Sequence, residues 1–380
     1  MSANADVLDS TFAATRIQTR TSVRAPARIA LLGTGTVGGA VLARLASWAG
    51  TPLGARLQLV HVANSRFAIS DPQGLCSREA AQALAASRLD AAEPSSLSAA
   101  TQALGPRGYC RILIDATASE AVAEQHARWL AHGIHVVTAC KLGQGVSLSR
   151  WRSIRDACGE GGTDYGDSAT VGAGLPLLRS LRELQVGGDR IHGIAGVLSG
   201  SLAWLFNQYD GMRPFSALVR QARDAGYTEP DPRDDLSGED VRRKIVILAR
   251  AAGFEIEPRD VDVTSLVPRE LALLSKEAVD AALPALDAPL RGRFAEAYKN
   301  GEKLRFVARL ERGADGRAHA RVGLEALAHD HPLAGGAGTD NKVAIWSDRY
   351  SNQPLVIQGP GAGAEVTAAG LLDDALRIAG

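Results

Sequence analysis

Residues 28–39 read RIALLGTGTVGG, and this stretch decides the fold of the first half of the chain. Residues 28–32 are β-prone, and the apolar, alanine-rich residues 41–48 predict a helix after the glycines. A strand, a glycine turn and a helix in this order are typical of dinucleotide binding, because the glycines allow a tight turn, close approach of a pyrophosphate and helix packing. The turn residues predicted to contact the cofactor are Gly33, Thr34, Gly35, Thr36, Val37 and Gly38.

The pattern around this turn predicts the α/β class. Alternating strands and helices up to about residue 160 indicate a Rossmann-type doubly wound parallel sheet with helices on both faces. The strands are predicted at 57–63, 111–115 and 134–138, and the helices at 77–86 and 119–131. A mixed α/β second domain is predicted beyond them, with helices at 175–184, 201–209, 215–225, 238–252 and 269–281 and strands at 191–198, 304–310, 319–324, 343–346 and 355–358.

The composition excludes some classes of protein. A chain of 380 residues, 46% hydrophobic with a net charge of zero, has no excess positive charge for nucleic acid. It also has no apolar run near the roughly 20 residues that cross a membrane. Four cysteines without metal-ligand spacing indicate reduced thiols and a cytoplasmic protein. Residues 1–26 are interpreted as a disordered tail, although their arginines and serines partly fit an organelle transit peptide.

The loops after the strands bear on cofactor choice. Asn64 and Arg66 follow the second strand, where an acidic residue would bind the ribose of NAD. Arg66 could pair with a 2′-phosphate, so NADP is favoured over NAD, although a solvated loop arginine is the alternative. Thr117 and Lys141 follow the next two strands at the same edge, and Asn64, Arg66, Thr117 and Lys141 are predicted to contact the cofactor. Lys141 would contact the reacting carbonyl or a substrate carboxylate, unless it is an exposed loop lysine.

Residues 226–244 read GYTEPDPRDDLSGEDVRRK and crowd six carboxylates into a proline-containing segment before a helix. Such carboxylates repel one another unless cations or a substrate ammonium share the site. Lys244 lies beside the apolar stripe of that helix, one turn after Asp240. A buried lysine held by a carboxylate is suited to proton transfer, whereas a surface ion pair is the structural alternative.

Three weaker patterns have competing explanations. Residues 170–176 (TVGAGLP) form another glycine turn, which could offer carbonyls to a monovalent cation, line the pocket or simply begin a helix. Cys140 is interpreted as a small buried thiol rather than a nucleophile, because no partner base is evident. His329 and His331 lack a third metal ligand and are interpreted as a solvated loop.

From about residue 27 onward the chain resembles homoserine dehydrogenases, above all the yeast type and the dehydrogenase half of bifunctional aspartokinase enzymes. The stretches that carry the resemblance are 169–176, 181–184, 196–202, 226–244 and 340–370. It implies NAD(P)H-dependent reduction of aspartate 4-semialdehyde to homoserine by a homodimer. The implied domains are a nucleotide-binding domain (27–160), a dimerisation and substrate-binding catalytic domain (161–358) and a C-terminal helix returning to the first domain (359–380).

The resemblance also implies roles for individual residues. Lys244 and Lys141 would be catalytic and Gly361 would lie against the cofactor, while the substrate would contact Glu229, Asp235, Asp240 and Gly200. The backbone carbonyls of Val171 and Ala173 would bind Na⁺ or K⁺. Two positions depart from the family pattern, since Cys140 replaces an asparagine and Ser168 replaces a glutamate that helps to bind the cation. The rival functions are dehydrogenation of another amino-aldehyde and non-catalytic NADP binding.

Overall fold

The computed structural model of the protein describes residues 25–85 and 93–380. The disordered tail expected at residues 1–26 therefore lies outside the described residues up to residue 24. The strands are β1 (Ala27–Leu32), β2 (Leu57–Ala63), β3 (Phe67–Ser70), β4 (Glu93–Pro94), β5 (Arg111–Asp115), β6 (His135–Thr138), β7 (Tyr165–Gly166), β8 (Ile191–Val197), β9 (Val261–Val263), β10 (Glu302–Arg312), β11 (Ala318–Ala328), β12 (Asp340–Ser347) and β13 (Leu355–Pro360). The helices are α1 (Thr36–Ser47), α2 (Ser77–Ala85), α3 (Leu97–Ala103), α4 (Glu120–Ala123), α5 (His126–Ala131), α6 (Leu148–Gly161), α7 (Leu177–Val186), α8 (Gly200–Gln208), α9 (Phe215–Asp224), α10 (Pro232–Leu236), α11 (Glu239–Ala251), α12 (Arg269–Ala272), α13 (Val279–Ala282), α14 (Asp287–Lys299) and α15 (Ala364–Ala379).

The first sheet has the strand order β4-β3-β2-β1-β5-β6-β7. Strands β2, β1, β5, β6 and β7 are parallel, whereas β3 and β4 pair antiparallel at one edge. Helices α1, α2 and α15 pack on one face, and α3, α5 and α6 on the other. The predicted Rossmann-type doubly wound sheet is thus confirmed, with an antiparallel edge that the sequence pattern did not indicate.

The second sheet has the order β13-β12-β8-β10-β11-β9 and is antiparallel except for the pair β11 and β9. Its core lies against helices α7, α8, α9, α11 and α14, which cover one face. The β10–β11 hairpin is the predicted one, but both strands extend further at each end. The second unit is therefore the predicted mixed α/β domain.

Several predicted helices were wrong in extent. The helix predicted at 269–281 stops at Ala272, since Leu273 is 78% exposed and cannot continue a buried stripe. The helix predicted at 119–131 is split into α4 and α5. Helix α14 was not predicted because only Leu290 and Ala297 are buried on it, too few for an apolar stripe. Helix α6 was also missed, although Ser147 caps its N-terminus.

Candidate active site

The carboxyl ends of four parallel strands meet at one edge of the first sheet. Leu32 is in register with Ala63 on one side and with Asp115 on the other, and Asp115 is in register with Thr138. The loops that follow these strands carry the glycine turn, Asn64 and Arg66, Thr117, and Lys141. Ligands of doubly wound sheets bind at this edge.

The glycine turn leaves room for a ligand where the sequence predicts it. Gly33 has φ +96, and a Cβ there would lie 2.8 Å from the Ala116 carbonyl oxygen. A Cβ on Gly38 would lie 1.8 Å from the Gly33 carbonyl oxygen, so helix and turn are in close contact. A Cβ on Gly35, which immediately precedes α1, would meet nothing within 4 Å. The helix N-terminus therefore faces open space, which fits a pyrophosphate.

Asn64 and Arg66 both lie in the β2–β3 turn, but their side chains differ in how available they are to a ligand. Asn64 Oδ1 accepts hydrogen bonds from the backbone N–H groups of Arg66 and Phe67, each at 2.8 Å. Its carbonyl oxygen thus orders the turn, which is a different use from the predicted cofactor contact. The Arg66 side chain is exposed. An exposed guanidinium beside the ribose edge of the sheet is available to an anion.

A cleft of about 380 Å³ opens between the two domains beside the glycine turn. It brings together residues that are far apart in the sequence. The predicted site residues on its wall are Thr36, Val37, Thr117, Lys141, Ala173, Lys244 and Gly361. Gly361 is forced to be glycine there, because a Cβ would lie 1.8 Å from Asn341 Oδ1.

Lys244 is buried, with 9% of its surface exposed, at the wall of this cleft. Helix α11 is buried on most sides, as predicted, and its first turn carries Asp240. Lys244 Nζ lies 2.8 Å from Asp240 Oδ2 and donates a 2.7 Å hydrogen bond to the Leu198 carbonyl oxygen. Two of its three N–H groups are thus used within the protein, and one is left for a ligand.

Lys141 binds the same carboxylate from the other domain, with Nζ 3.3 Å from Asp240 Oδ1. Burial lowers the pKa of Lys244; the Asp240 charge opposes this shift and the Lys141 charge adds to it. Burial would raise the pKa of Asp240, but the two ammonium groups hold it well below its usual range. Asp240 therefore stays ionised and fixes both lysines.

More of the carboxylates in residues 226–244 pair with cationic side chains of the protein than the sequence indicated. Asp231 caps helix α10 and pairs with Arg233 at 2.7 Å, and Glu239 pairs with Arg242 at 2.5 Å. With Asp240 held by the lysines, half of the six carboxylates already have cationic partners. Cations do share the site, as expected, but for these three carboxylates they are side chains of the protein itself.

Asp235 and Glu229 form a separate part of the segment. Asp235 Oδ1 accepts a 2.6 Å hydrogen bond from Ser201 Oγ, and Oδ2 accepts one of 2.8 Å from the Glu229 backbone N–H. Burial raises the pKa of Asp235, and these hydrogen bonds oppose the shift. The Glu229 residue is exposed, so its carboxylate remains available to a ligand. Asp235 thus orients the backbone that carries Glu229.

The turn between β8 and α8 and the start of α8 contact Lys244 and Asp235. Leu198 supplies the carbonyl oxygen that binds Lys244, and Ser199 caps α8 by accepting a 3.2 Å hydrogen bond from the Leu202 N–H. Gly200, predicted to contact the substrate, packs against Thr339, whose carbonyl oxygen would be 3.2 Å from a Cβ. The roles of Ser201 and of the Leu198 carbonyl were missed, although the Ser199-Gly200-Ser201 sequence is a recognisable helix cap.

Cys140 is a buried thiol, as interpreted from the sequence. Burial, followed by the nearby Asp115 charge, raises its pKa to about 11. It therefore keeps its proton near neutral pH and is a poor nucleophile. Within residues 25–85 and 93–380, no group of three or more His, Cys, Asp or Glu side chains is arranged to hold a metal ion.

The proposed cation turn does not fit a carboxylate-bound ion. Val171 and Ala173 are buried, and Ala173 has a φ of +52 that is unusual for alanine. Ser168 Oγ donates a 2.8 Å hydrogen bond to Asp374, and both oxygens of Asp167 accept 2.6 Å hydrogen bonds from Arg182. Neither side chain is therefore available to replace the missing glutamate. The turn does line the cleft, which was one of the alternatives.

Comparison with known proteins agrees with this geometry. The family model "Homoserine dehydrogenase" matches residues 176–376, and "Homoserine dehydrogenase, NAD binding domain" matches residues 33–165. The chain is 39% identical over 278 residues to a homoserine dehydrogenase of Emericella nidulans, covering 70% of this chain and 75% of that protein. It is 46% identical over 268 residues to bifunctional aspartokinase/homoserine dehydrogenase 2 of Escherichia coli, covering 70% of this chain and 33% of that protein. The chain thus spans about a third of the length of such bifunctional relatives.

Solved structures share the fold over nearly the whole chain. A Candida auris protein described as of unknown function superposes with a TM-score of 0.84 at 34% identity, covering 93% of this chain and 98% of its own. A hyperthermophilic archaeal homoserine dehydrogenase in complex with NADPH superposes with a TM-score of 0.70 at 21% identity, covering 93% and 97%. At that identity the second match shows the fold alone.

Proposed function

Because the chain belongs to the homoserine dehydrogenase family, we propose that it interconverts L-aspartate 4-semialdehyde and L-homoserine with NADP(H). The observation that carries this proposal is the cleft in which Lys244 and Lys141, from different domains, bind one carboxylate beside an open glycine turn. A bound nicotinamide supplies or accepts the hydride at this cleft. The protein's own residues supply recognition and proton transfer.

Lys244 is the proposed acid and base. During aldehyde reduction its ammonium donates a proton to the oxygen that becomes the homoserine hydroxyl, and in the reverse direction the amine takes that proton back. Burial, which lowers the pKa of Lys244, brings the two protonation states closer in free energy near neutral pH. Lys141 adds a second positive charge on the same carboxylate, which stabilises negative charge developing on the substrate oxygen.

Substrate recognition is assigned to the acidic segment. The exposed Glu229 carboxylate is proposed to bind the α-ammonium of the substrate, while Asp235 holds its backbone in place. In this assignment, Asp240 binds the two lysines. The distance from the ammonium site to Lys244 would then select the chain length of the amino acid.

NADP is the proposed cofactor, with NAD as the weaker alternative. The support is the exposed Arg66 guanidinium after β2 and the lack of an acidic residue at residues 62–66 to repel a 2′-phosphate. No step is assigned to a monovalent cation, because Ser168 and Asp167 are occupied by Asp374 and Arg182.

A homodimer formed through the second sheet is part of the proposal. The sheet face opposite the helices carries Trp346 and the 40% exposed Val356. Light scattering should give twice the chain mass. Trp346→Glu should shift the measured mass towards the monomer, whereas Lys299→Glu on α14 should not.

The proposal also places the protein in the cytoplasm, in threonine and methionine synthesis. Its four cysteines, which form no disulfide with one another, support a reducing compartment.

The decisive experiment is reduction of NADP⁺ by the purified protein with L-homoserine, repeated with NAD⁺ and with K⁺ or Na⁺ replaced by choline. Homoserine-dependent turnover with NADP⁺ supports the proposal. Faster turnover with a homologue of different chain length would favour another amino-aldehyde substrate. Cofactor binding without turnover on any amino alcohol would favour a non-catalytic NADP-binding protein.

A further inference from the structure

We propose that His126 is a positioning residue for the cleft, acting through a buried hydrogen-bonded chain from Tyr165 through His126 to Asp115. These three hydrogen-bonded side chains would set the positions of Thr117 and of the turn that follows Lys141. This inference rests on the proposed function, which makes that cleft the place of hydride transfer.

Two of the three side chains in this hydrogen-bonded chain are fully buried, and Tyr165 is partly buried. His126, at the start of α5, and Asp115, at the end of β5, are both 0% exposed. His126 Nε2 lies 3.1 Å from Asp115 Oδ2, and His126 Nδ1 lies 2.9 Å from Tyr165 Oη. His126 does not line the cleft, so it can act there only through its neighbours.

In the proposed arrangement, every hydrogen bond of this side-chain series is donated towards Asp115. Asp115 Oδ1 accepts from the Thr117 backbone N–H at 2.9 Å and from Thr117 Oγ1 at 2.6 Å. Burial, with the charges of Asp167 and Asp115, raises the pKa of Tyr165 well above its usual value, so its hydroxyl keeps its proton and is able to donate to His126 Nδ1. With that bond, His126 Nε2–H donates to Asp115 Oδ2, which is the arrangement that the proposal requires.

The same carboxylate reaches the Lys141 loop through Thr138. Thr138 Oγ1 lies 3.2 Å from Asp115 Oδ2 and accepts a 2.8 Å hydrogen bond from the backbone N–H of Cys140. Asp115 therefore fixes Thr117, two residues after the end of β5, and, through Thr138, Cys140, the residue before Lys141. Both loops form the cleft wall.

The turn beyond Lys141 rests directly on the His126–Tyr165 hydrogen bond. A Cβ on Gly143 would lie 2.2 Å from Tyr165 Oη and 3.1 Å from His126 Nδ1. A 2.6 Å hydrogen bond from the Gly145 N–H to the Lys141 carbonyl oxygen closes this turn. Lys141 is thus held from both sides, by Thr138 before it and by the Tyr165–His126 pair after it.

A buried polar chain costs desolvation that an apolar side chain would not, and what it adds is a fixed geometry. Displacement of a reacting group by about 1 Å lowers turnover roughly 100-fold. His126→Leu, which removes both hydrogen bonds, is therefore expected to lower kcat by roughly 10- to 100-fold. His126→Gln, whose amide can still donate to Asp115, should recover part of that loss.

The matched control is His61→Leu. His61 is also 0% exposed and in the first sheet, but its single hydrogen bond, 2.8 Å to Ser70, does not lead to the cleft. Both leucine variants should lower the melting temperature. Only His126→Leu should speed hydrogen–deuterium exchange in peptides covering residues 139–146 and weaken NADPH binding followed by fluorescence titration.

The outcomes separate the two proposals. Failure of the wild-type protein to oxidise homoserine would overturn the proposed function, while the exchange and NADPH titrations would still decide the positioning role. Exchange at residues 139–146, NADPH binding and kcat that match those of His61→Leu would overturn it. If His126→Leu does not fold, Tyr165→Phe removes only the terminal hydroxyl of the chain, and the same exchange measurement applies, with unchanged exchange overturning the inference.

Discussion

Lys141 Nζ lies 3.3 Å from Asp240 Oδ1, although the two residues belong to domains built on different sheets. Lys244, on the same helix as Asp240, binds the other oxygen at 2.8 Å. Arg250, further along that helix, donates to the carbonyl oxygens of Val146 and Ile256, each at 2.8 Å, and so ties the Lys141 loop to the second domain. The relative position of the two lysines is therefore a property of the domain interface.

Replacing Lys244 with alanine should lower kcat by roughly 10² to 10⁴, because the group that transfers the proton is lost. Asp240 keeps Lys141 as a partner, so the fold is expected to survive. Steady-state assays of homoserine oxidation would measure the loss, with the exposed Lys299→Ala as control. Near-normal turnover would remove Lys244 from the chemistry.

Replacing Asp240 with asparagine should shift the pH dependence of turnover. The carboxylate opposes the lowering of the Lys244 pKa by burial and by Lys141, so its removal lowers that pKa further. Aldehyde reduction needs the ammonium form, so its alkaline limb should move to lower pH. Profiles of kcat/KM would test this against Asp234→Asn, and an unmoved limb would contradict it.

Replacing Glu229 with glutamine should raise the KM for homoserine by roughly 10- to 100-fold, the value of a charge-assisted hydrogen bond. The KM for NADP⁺ should stay unchanged, because Glu229 is outside the cofactor loops. Asp234→Asn, an exposed acid in the same segment, is the matched control. An equal rise in both KM values would point to a disturbed fold instead.

Replacing Arg66 with alanine should lower kcat/KM for NADP⁺ by roughly 10- to 100-fold and leave NAD⁺ almost unaffected. The reason is that only NADP⁺ carries the 2′-phosphate. Parallel assays with both cofactors provide the control within one variant. Equal losses with both would show that Arg66 does not read the phosphate.

Acid should weaken the first domain through His61. Burial lowers the pKa of His61 from 6.5 to about 4, so the unfolded chain binds more protons than the folded one between these values. The free energy of unfolding should therefore fall by about 3 kcal/mol as the pH drops from 6.5 to 4. Urea titrations of the wild type and of His61→Leu would test this, and equal pH slopes would refute it.

Local sequence patterns predicted individual turns and local pairs of residues well, but they predicted contacts between distant elements poorly. The glycine turn after β1 and the pairing of Asp240 with Lys244 follow from local spacing, so both were predictable. The contact of Lys141 with Asp240, and the arrangement of Asp115, His126 and Tyr165, depend on how distant elements pack. Helix α14 was missed for a different reason, since a helix with few buried residues has no readable stripe.

Helix α15 packs against α1 and completes one face of the first sheet, with Ala368, Leu371, Leu372 and Ala375 all buried there. The unit that begins at β1 is thus finished only by residues 364–379. During synthesis, the apolar side of α1 must wait until the ribosome has released these residues. Domains usually fold in the order in which they emerge. Because the second domain precedes α15 in the sequence, we expect the first domain to complete its folding after the second.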